Sequence, residues 1–292
     1  MPEAKRKIII GTRGTPLALA QAELARAALA AAAPGVPAEL KTFVTQGDRK
    51  LAWSLEKTGG KGLFTSELES ALAAGEIDVA VHSGKDLPTA LAAGTRLAGC
   101  LPRADARDVL VLREDAARSR GGVPASVATG SPRRRAQARA LFPAAEFSEL
   151  RGSVSTRLKK IAEGNAADAT FLAAAGLARL GIAAFPGLKF VPLSLDAMVP
   201  AAAQAAIALQ TRERDAAFFA RACDAGTTLA VAVERAFLSA LGEGCHTAFA
   251  VHFAENRLRI FREDIGMRAF PFPAPAPEEI PAAVERVLRE IF

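Results

Sequence analysis

The sequence predicts an α/β fold with two α/β lobes and a small C-terminal α+β domain. Half of its 292 residues are apolar, which is enough for more than one buried core. Two successive blocks of the chain alternate between strand-like and helix-like patterns, and the last block differs from both. We therefore expect residues 1–101 with 203–223 to form the first lobe, 106–198 the second lobe and 226–292 the small domain.

The first block opens with a strand pattern and a well-marked helix. Residues 7–11 are rich in β-branched side chains, and an alanine- and leucine-rich helical pattern follows at 16–32. Thr15 suits the N-cap of this helix, and Pro16 suits its first position. The other predicted elements of this block are strands at 40–44 and 77–82 and a helix at 63–74. This alternation is typical of parallel sheets with crossover helices.

Two breaks in the pattern separate the blocks. Residues 100–107 are polar and contain a proline, and the alternation stops again at 196–203. A chain that leaves the first lobe at one break and returns at the other would form a hinge there. Between the breaks we expect strands at 109–112, 126–129, 146–150 and 168–172 and helices at 132–141, 154–163 and 173–180.

The last block predicts the small α+β domain. A helical pattern at 228–241 precedes two or three strand patterns between residues 247 and 268. A proline-rich link and a closing helix at 278–291 complete the chain.

The charge distribution indicates an anionic ligand for the first two blocks. The 37 basic and 31 acidic residues give a net charge of +6, but residues 224–292 hold 7 basic and 10 acidic residues. Residues 1–223 therefore carry the positive excess. With no tyrosine, one tryptophan and no nucleic-acid-binding motif, we expect a small polyanion and no nucleic acid.

Composition also restricts the location and cofactor class. No apolar run is long enough for a membrane span, and residues 1–11 are too polar for a secretory signal peptide. The three widely spaced cysteines (Cys100, Cys223 and Cys245) fit a reducing compartment, so we expect a cytoplasmic protein without a membrane partner. The three histidines have no metal-ligand spacing, and we expect no metal.

Four predicted strand-to-helix turns carry basic side chains, glycines or hydroxyls. The most informative is Thr129-Gly-Ser-Pro-Arg-Arg-Arg, where free N–H groups, hydroxyls and guanidinium groups would favour carboxylate or phosphate. Similar turns occur at 11–16, 57–64 and 151–157. Singly, each could be a solvated basic helix start, a capped helix or a flexible hinge, but together at one sheet edge they indicate a multiply charged ligand.

Two further segments could carry chemistry. In Val81-His-Ser-Gly-Lys-Asp-Leu-Pro, Asp86 could stabilise a developing positive charge, although an N-cap role is also open. His82 fits a packed histidine better than a catalyst. Cys245 follows Gly242 and Gly244 after a predicted helix, so its thiol could be a nucleophile or a covalent anchor.

The motifs in their order resemble the porphobilinogen deaminase (hydroxymethylbilane synthase) family. The resemblance extends from about residue 8 to 250. Its motifs are GTRGTPLALAQ, VTQGDR, GGKGLF, VHSGKDLP, RADARD, ATGSPRRRAQ, LRGSVSTRL, LAAAGLARLG and LGEGC.

The resemblance implies two lobes similar to periplasmic binding proteins and a small third domain, in a monomer. It implies an enzyme that joins four porphobilinogen molecules head to tail with loss of ammonia, and that holds the pyrrole-chain intermediates between additions. Its dipyrromethane cofactor would be attached through Cys245, and Asp86 would be the catalytic residue. The implied cofactor-binding residues are Lys85, Thr129, Ser131, Arg133, Arg134 and Arg157, and the implied substrate-binding residues are Arg13, Thr15, Lys61, Arg151, Arg179 and Gln204.

The chain departs from the family pattern at a few positions. Ala203 and Ala205 flank Gln204 where the family usually has glycines, and Gly84 replaces a larger residue. Gly130 stands where serine is common, and Ser153 where asparagine is usual. These changes leave Asp86, Cys245 and the arginines in place.

Two other functional classes fit part of the pattern. A non-catalytic two-lobed binding protein would explain the lobes and a basic cleft, but it would leave Cys245 without a role. A nucleic-acid binder would explain the positive charge alone, and it predicts a convex basic surface with aromatic residues.

Overall fold

A computed structural model describes residues 7–49, 65–119, 121–242 and 248–291 of the chain. These residues form two five-stranded sheets and one three-stranded sheet, each with helices packed against it. None of the described helices is both long and apolar enough to cross a membrane.

The first lobe is built on a mixed five-stranded sheet. Its strands, in spatial order, are β2 (Ala38–Phe43), β1 (Ile8–Arg13), β3 (Val79–Ser83), β10 (Ile207–Arg212) and β4 (Thr95–Cys100). Its helices are α1 (Pro16–Ala32), α2 (Gln46–Arg49), α3 (Ser66–Ala73) and α8 (Ala216–Ala220). Thr15 caps α1 by accepting the Ala18 N–H, and Pro16 takes the first turn, as the sequence predicts.

The second lobe repeats this plan. Its strands, in spatial order, are β7 (Glu146–Ser148), β6 (Ser126–Ala128), β8 (Ala169–Ala173), β5 (Asp108–Arg113) and β9 (Leu188–Pro192). Its helices are α4 (Glu114–Ser119), α5 (Pro132–Leu141), α6 (Val154–Ala162) and α7 (Ala174–Arg179). In each lobe, the first strand after the chain crosses from the other lobe occupies the fourth position in the sheet: β10 in the first lobe and β5 in the second.

That fourth strand corrects the prediction of wholly parallel sheets. Strand β10 runs antiparallel to β3 and β4, and β5 runs antiparallel to β8 and β9. Each begins where its neighbour ends, with Ile207 opposite Ser83 and Asp108 opposite Ala173. The chain crosses between lobes at the carboxyl edge of the sheets, so the entering strand must run backwards. We call residues 101–107 the first crossover and 198–206 the second crossover.

The small C-terminal domain packs two helices on one face of an antiparallel sheet. It comprises α9 (Ala225–Ala240), β11 (Phe249–Ala254), β12 (Arg257–Arg262), β13 (Gly266–Pro271) and α10 (Ile280–Ile291). Phe237, Val251 and Ile260 are buried in its core. The predicted fold class, two α/β lobes with a small α+β domain, is confirmed. The residue limits of the three units stay a prediction.

Side chains of the small domain bind residues in the first crossover and directly before both crossovers. Thr228 Oγ1 accepts the N–H of Cys100 at 3.0 Å, and Thr227 Oγ1 accepts that of Arg103 at 3.1 Å. Arg259 pairs with Asp196, just before the second crossover, at 2.6 Å. The small domain is therefore attached where the chain passes from lobe to lobe.

Candidate functional site

A cavity of about 220 Å³ lies where the two lobes, the second crossover and the small domain meet. We call it the central cavity. Most of its polar side chains come from turns at the carboxyl ends of strands, which is where ligands bind in α/β folds. The predicted residues that line it are Lys85, Asp86, Thr129, Ser131, Arg133, Arg134, Arg151, Arg157 and Gln204. The other lining residues are Gly130, Leu150, Ala201, Ala202, Leu238 and Phe249.

The first lobe contributes Lys85 and Asp86 from a short 3₁₀ turn after β3. The turn begins at Gly84, whose N–H donates to Ala206 O of the second crossover at 2.9 Å. Loss of hydration in the cleft lowers the pKa of Lys85 to about 8, and Arg134 acts in the same direction while Asp86 opposes it. The amino group is therefore close to titration at the upper end of physiological pH.

Asp86 also borders a second, small cavity on the first-lobe side. Arg13, Gln21, His82 and Ser83 line this small cavity as well. Arg13, which the sequence assigns to substrate binding, lies at the end of β1, the strand beside β3, and borders this small cavity and not the central one. Burial lowers the pKa of His82 to about 4, so its ring is neutral at pH 7.

The second lobe contributes the start of α5. Ser131 caps the helix by accepting the Arg134 N–H at 3.4 Å, and its own N–H donates to Thr129 Oγ1 at 3.2 Å. Arg133 and Arg134 follow in the first turn and are 5% and 6% exposed. Both pair with Asp108, whose carboxylate is fully buried. The basic turn at residues 129–135 is therefore buried and ion-paired, and it is not a solvent-exposed helix start.

Arg151 and Arg157 come from the turn between β7 and α6. Arg151 Nε donates to Glu149 Oε1 at 2.5 Å, and its buried Nη2 has no hydrogen-bond partner among the described residues. Arg157 Nε donates to Gly152 O at 2.8 Å. Burial lowers the pKa of Arg157 to about 10; nearby Arg134 and Arg151 also lower it, and Asp86 raises it. These groups therefore share one electrostatic environment.

The second crossover has an unusual backbone around Gln204. Ala203 and Ala205 have φ values of 57° and 69°, a region that L-residues other than glycine rarely adopt. Gln204 is fully buried, and its Nε2 donates to Ala106 O at 2.8 Å and Asp108 Oδ1 at 3.1 Å. Its Oε1 has no partner within the described residues.

Besides Arg13, four predicted site residues lie away from the central cavity or outside the described part. Thr15 is occupied in capping α1, and Arg179 donates to Ala205 O at 2.6 Å. Neither lines the central or the small cavity. Lys61 and Cys245 lie outside the described residues.

Sequence reasoning missed three acidic residues. Asp108 pairs with the α5 arginines, Glu149 with Arg151, and Glu234 with Arg103. The Glu149–Arg151 ion pair could have been predicted from the sequence, since the two residues are only two positions apart. The partners of the other two are 26 and 131 residues away, so no local pattern indicates them.

Comparisons with known proteins agree on one family. The family profile described as "Porphobilinogen deaminase, dipyromethane cofactor binding domain" matches residues 8–220. The chain is 45% identical over 268 residues to porphobilinogen deaminase of Paracoccus denitrificans (strain Pd 1222), covering 89% of this chain and 84% of the relative. It is 47% identical over 270 residues to that of Sphingopyxis alaskensis (strain DSM 13593 / LMG 18877 / RB2256), covering 87% and 84%.

Among solved structures, the periplasmic VFT2 domain of Bordetella pertussis BvgS is similar at 17% sequence identity, with a TM-score of 0.42. The match covers 74% of this chain and 85% of that domain.

Proposed function

Because the chain belongs to the porphobilinogen deaminase family, we propose that the central cavity is where it performs the family reaction. The chain is a transferase of tetrapyrrole synthesis: it joins four porphobilinogen molecules head to tail, with loss of ammonia, into hydroxymethylbilane. One observation carries the placement. Five cationic side chains from both lobes line one cavity that also contains the Asp86 carboxylate.

The residues of the cavity fit a dipyrromethane group. Each pyrrole of the substrate carries an acetate and a propionate, so a two-pyrrole group brings four carboxylates. Arg151 Nη2, which has no hydrogen-bond partner in the described part of the chain, and the cations around it are suitable donors for these groups. Residues 8–220 match the cofactor binding domain of the family.

For the cofactor we propose a covalent attachment to Cys245 as a thioether. The other residues that we propose to bind the cofactor are Lys85, Thr129, Ser131, Arg133, Arg134 and Arg157. When bound, the group would supply the nucleophilic pyrrole carbon to which substrate is added. A covalent anchor keeps the growing chain in place through successive additions, which diffusion would otherwise interrupt.

We propose that the incoming substrate is bound by Arg151, Gln204 and Arg13. The further substrate-binding residues in this proposal are Lys61, Thr15 and Arg179. Arg13 borders the small cavity, which shares Asp86 with the central cavity. A substrate bound from that side would bring its reacting carbon to Asp86. Thr15 and Arg179 would need to exchange their present partners for substrate carboxylates.

Asp86 has the position of the catalytic residue in this proposal. The carbon–nitrogen bond of the substrate breaks, ammonia leaves, and positive charge develops on the pyrrole. The Asp86 carboxylate, at the boundary of both cavities, would accept the pyrrole N–H and stabilise that charge. The held pyrrole group would supply the carbon for the new carbon–carbon bond, and that carbon would give up its proton.

We also propose that the enzyme acts as a monomer in the cytoplasm, without nucleic-acid or membrane partners. Five positive side chains line an internal cavity, which favours a small anionic ligand over a nucleic acid. In the described part of the chain, Cys100 and Cys223 are free thiols, which fits a reducing compartment.

Intact-protein mass spectrometry combined with turnover tests the proposed function. Wild type should carry an adduct of two pyrrole units, and Cys245→Ser should carry none. Asp86→Asn should retain the adduct but lose nearly all turnover, because a neutral amide cannot stabilise the cation, while Asp86→Glu should retain a little. A wild-type chain without adduct, as expected of a non-catalytic binding protein, or wild-type turnover in Asp86→Asn, would contradict the assignment.

A further inference from the structure

Asp108 is a fully buried carboxylate that the chemistry above does not use. It is the first residue of β5, directly after the first crossover. Arg133 Nη2 lies 2.8 Å from its Oδ2, and Arg134 Nη2 lies 2.7 Å from its Oδ1. Gln204 of the second crossover donates to the same Oδ1 at 3.1 Å. One carboxylate therefore joins two cations of the central cavity to the segment that links the lobes.

Each of the two guanidinium groups is held at a second point by a backbone carbonyl. Arg133 Nη1 donates to Val199 O at 2.7 Å, and Arg134 Nη1 donates to Phe171 O at 2.8 Å. Arg134 also donates to Asp108 Oδ1 through Nε and Nη2, so its planar group is hydrogen-bonded on two sides and keeps one orientation; Arg133 is held by one hydrogen bond and the ion pair. Both arginines line the central cavity, whereas Asp108 does not.

We propose that Asp108 is a positioning residue: it aims Arg133 and Arg134 at the carboxylates of the bound ligand and joins them to the second crossover through Gln204. The proposal rests on the proposed function, since pyrrole carboxylates are the ligand groups concerned. Burial opposes the charged form of Asp108, but the two guanidinium groups outweigh burial and hold its pKa below the ordinary range. The group is charged at neutral pH.

Removing this charge distinguishes positioning from two simpler roles. If Asp108 only neutralised the arginines, its loss would add net positive charge near the cavity and strengthen anion binding. If it were only a structural ion pair, its loss would lower stability and leave binding unchanged. A positioning residue predicts weaker binding in spite of the added positive charge.

Citrate, a small polycarboxylate, is the probe for this test. Asp108→Asn and Asp108→Glu are made in the full chain carrying Cys245→Ser, so that no covalent group fills the cavity, and citrate is titrated by calorimetry. The control is Asp78→Asn: Asp78 is a buried aspartate that pairs with Arg212 at 2.9 Å and does not line the central cavity.

We expect Asp108→Asn to bind citrate on the order of tenfold more weakly than its parent, the effect of one lost charge-assisted hydrogen bond. Asp108→Glu should also bind more weakly, since it keeps the charge but moves the carboxylate by one methylene. Asp78→Asn should bind like the parent, whatever its melting temperature. If Asp108→Asn does not fold, Asp108→Glu decides the question at unchanged charge.

Binding by the Asp108 variants that is as tight as in the parent, or tighter, would overturn the proposal, and so would a parent that does not bind citrate. A second readout uses chains with Cys245 intact: the fraction with a two-pyrrole adduct, measured by intact mass, should fall in Asp108→Asn and not in Asp78→Asn. A wild type without any adduct would refute the proposed function, while the citrate comparison would still decide the role of Asp108.

Discussion

Two departures from the family pattern, at positions 84 and 203, compensate each other at the scale of single residues. A Cβ placed on Gly84 would lie 2.9 Å from the Ala203 Cβ and 3.0 Å from its carbonyl oxygen. The methyl group of Ala203 therefore fills the space that a side chain at position 84 would take. This pair lies beside Lys85 and Asp86, so it sets how closely the 3₁₀ turn approaches the second crossover.

A double-mutant cycle can measure this complementarity. Gly84→Ala should destabilise the protein by about 1–3 kcal/mol through overpacking against Ala203. Ala203→Gly loses a buried methyl group but relieves a φ of 57°, so its own effect should be near zero. Together the two changes should recover about 1 kcal/mol relative to additivity, measured by urea unfolding.

The matched control for this cycle is Gly14→Ala, since a Cβ at Gly14 would meet nothing within 4 Å. It should change stability little. Strict additivity of Gly84→Ala and Ala203→Gly would show that the two positions are independent.

Lys85 makes anion binding depend on pH. Its pKa of about 8 without ligand must rise when a carboxylate binds beside it, because the carboxylate favours the charged ammonium form. Between pH 7 and 8, where citrate is fully ionised, the citrate affinity of the Cys245→Ser chain should therefore change little; it should fall above pH 8, with proton uptake visible in calorimetry. Lys85→Arg should flatten the profile. The exposed Lys189, on β9, provides Lys189→Arg as a control, and an unchanged profile in Lys85→Arg would refute this origin.

At the scale of elements, local patterns predicted the helices better than the sheets. The starts of α1 and α5 are correct because Thr15 and Ser131 each cap a helix whose first residue is proline. Strands β4, β9 and β10 were missed because they lie beside irregular segments. The reversed direction of β5 and β10 depends on the route between lobes, which no local pattern records.

The sequence also predicted only part of the candidate site: most of its basic side chains, but not the carboxylates that pair with them. Basic strand-to-helix turns indicated most of the central cavity, since the carboxyl ends of strands meet at one edge. The carboxylates that hold those cations were not predictable, because Asp108 meets Arg134 only after the lobe has folded. The position of Arg13 in the small cavity beside Asp86 was not predictable either, because it depends on the order of β1 and β3 in the sheet.

At the scale of the whole molecule, Glu234 joins the small domain to both crossovers. It is fully buried on α9 and receives two hydrogen bonds from Arg103, at 2.7 and 3.0 Å. It also accepts the N–H groups of Ala203 and Phe253, at 2.6 and 2.8 Å. The first crossover, the second crossover and β11 thus meet at one carboxylate, so its charge should matter to the stability of the entire chain.

Acid unfolding of Glu234→Gln tests this role. Burial opposes the charged form, but Arg103 and His252 outweigh burial and lower the pKa of Glu234 to about 2 from 4.5. A depressed carboxyl pKa contributes stability that is complete above pH 4.5 and is lost as pH falls towards 2. The free energy of unfolding of wild type should exceed that of Glu234→Gln by on the order of 3 kcal/mol at pH 7, and this difference should shrink between pH 4.5 and 2.

The exposed Glu285, which pairs with Arg289, gives the control Glu285→Gln, which should change the free energy of unfolding by less than about 0.5 kcal/mol. A wild-type advantage that is the same at pH 7 and pH 2.5 would show that shape, and not the charge of Glu234, holds the three units together.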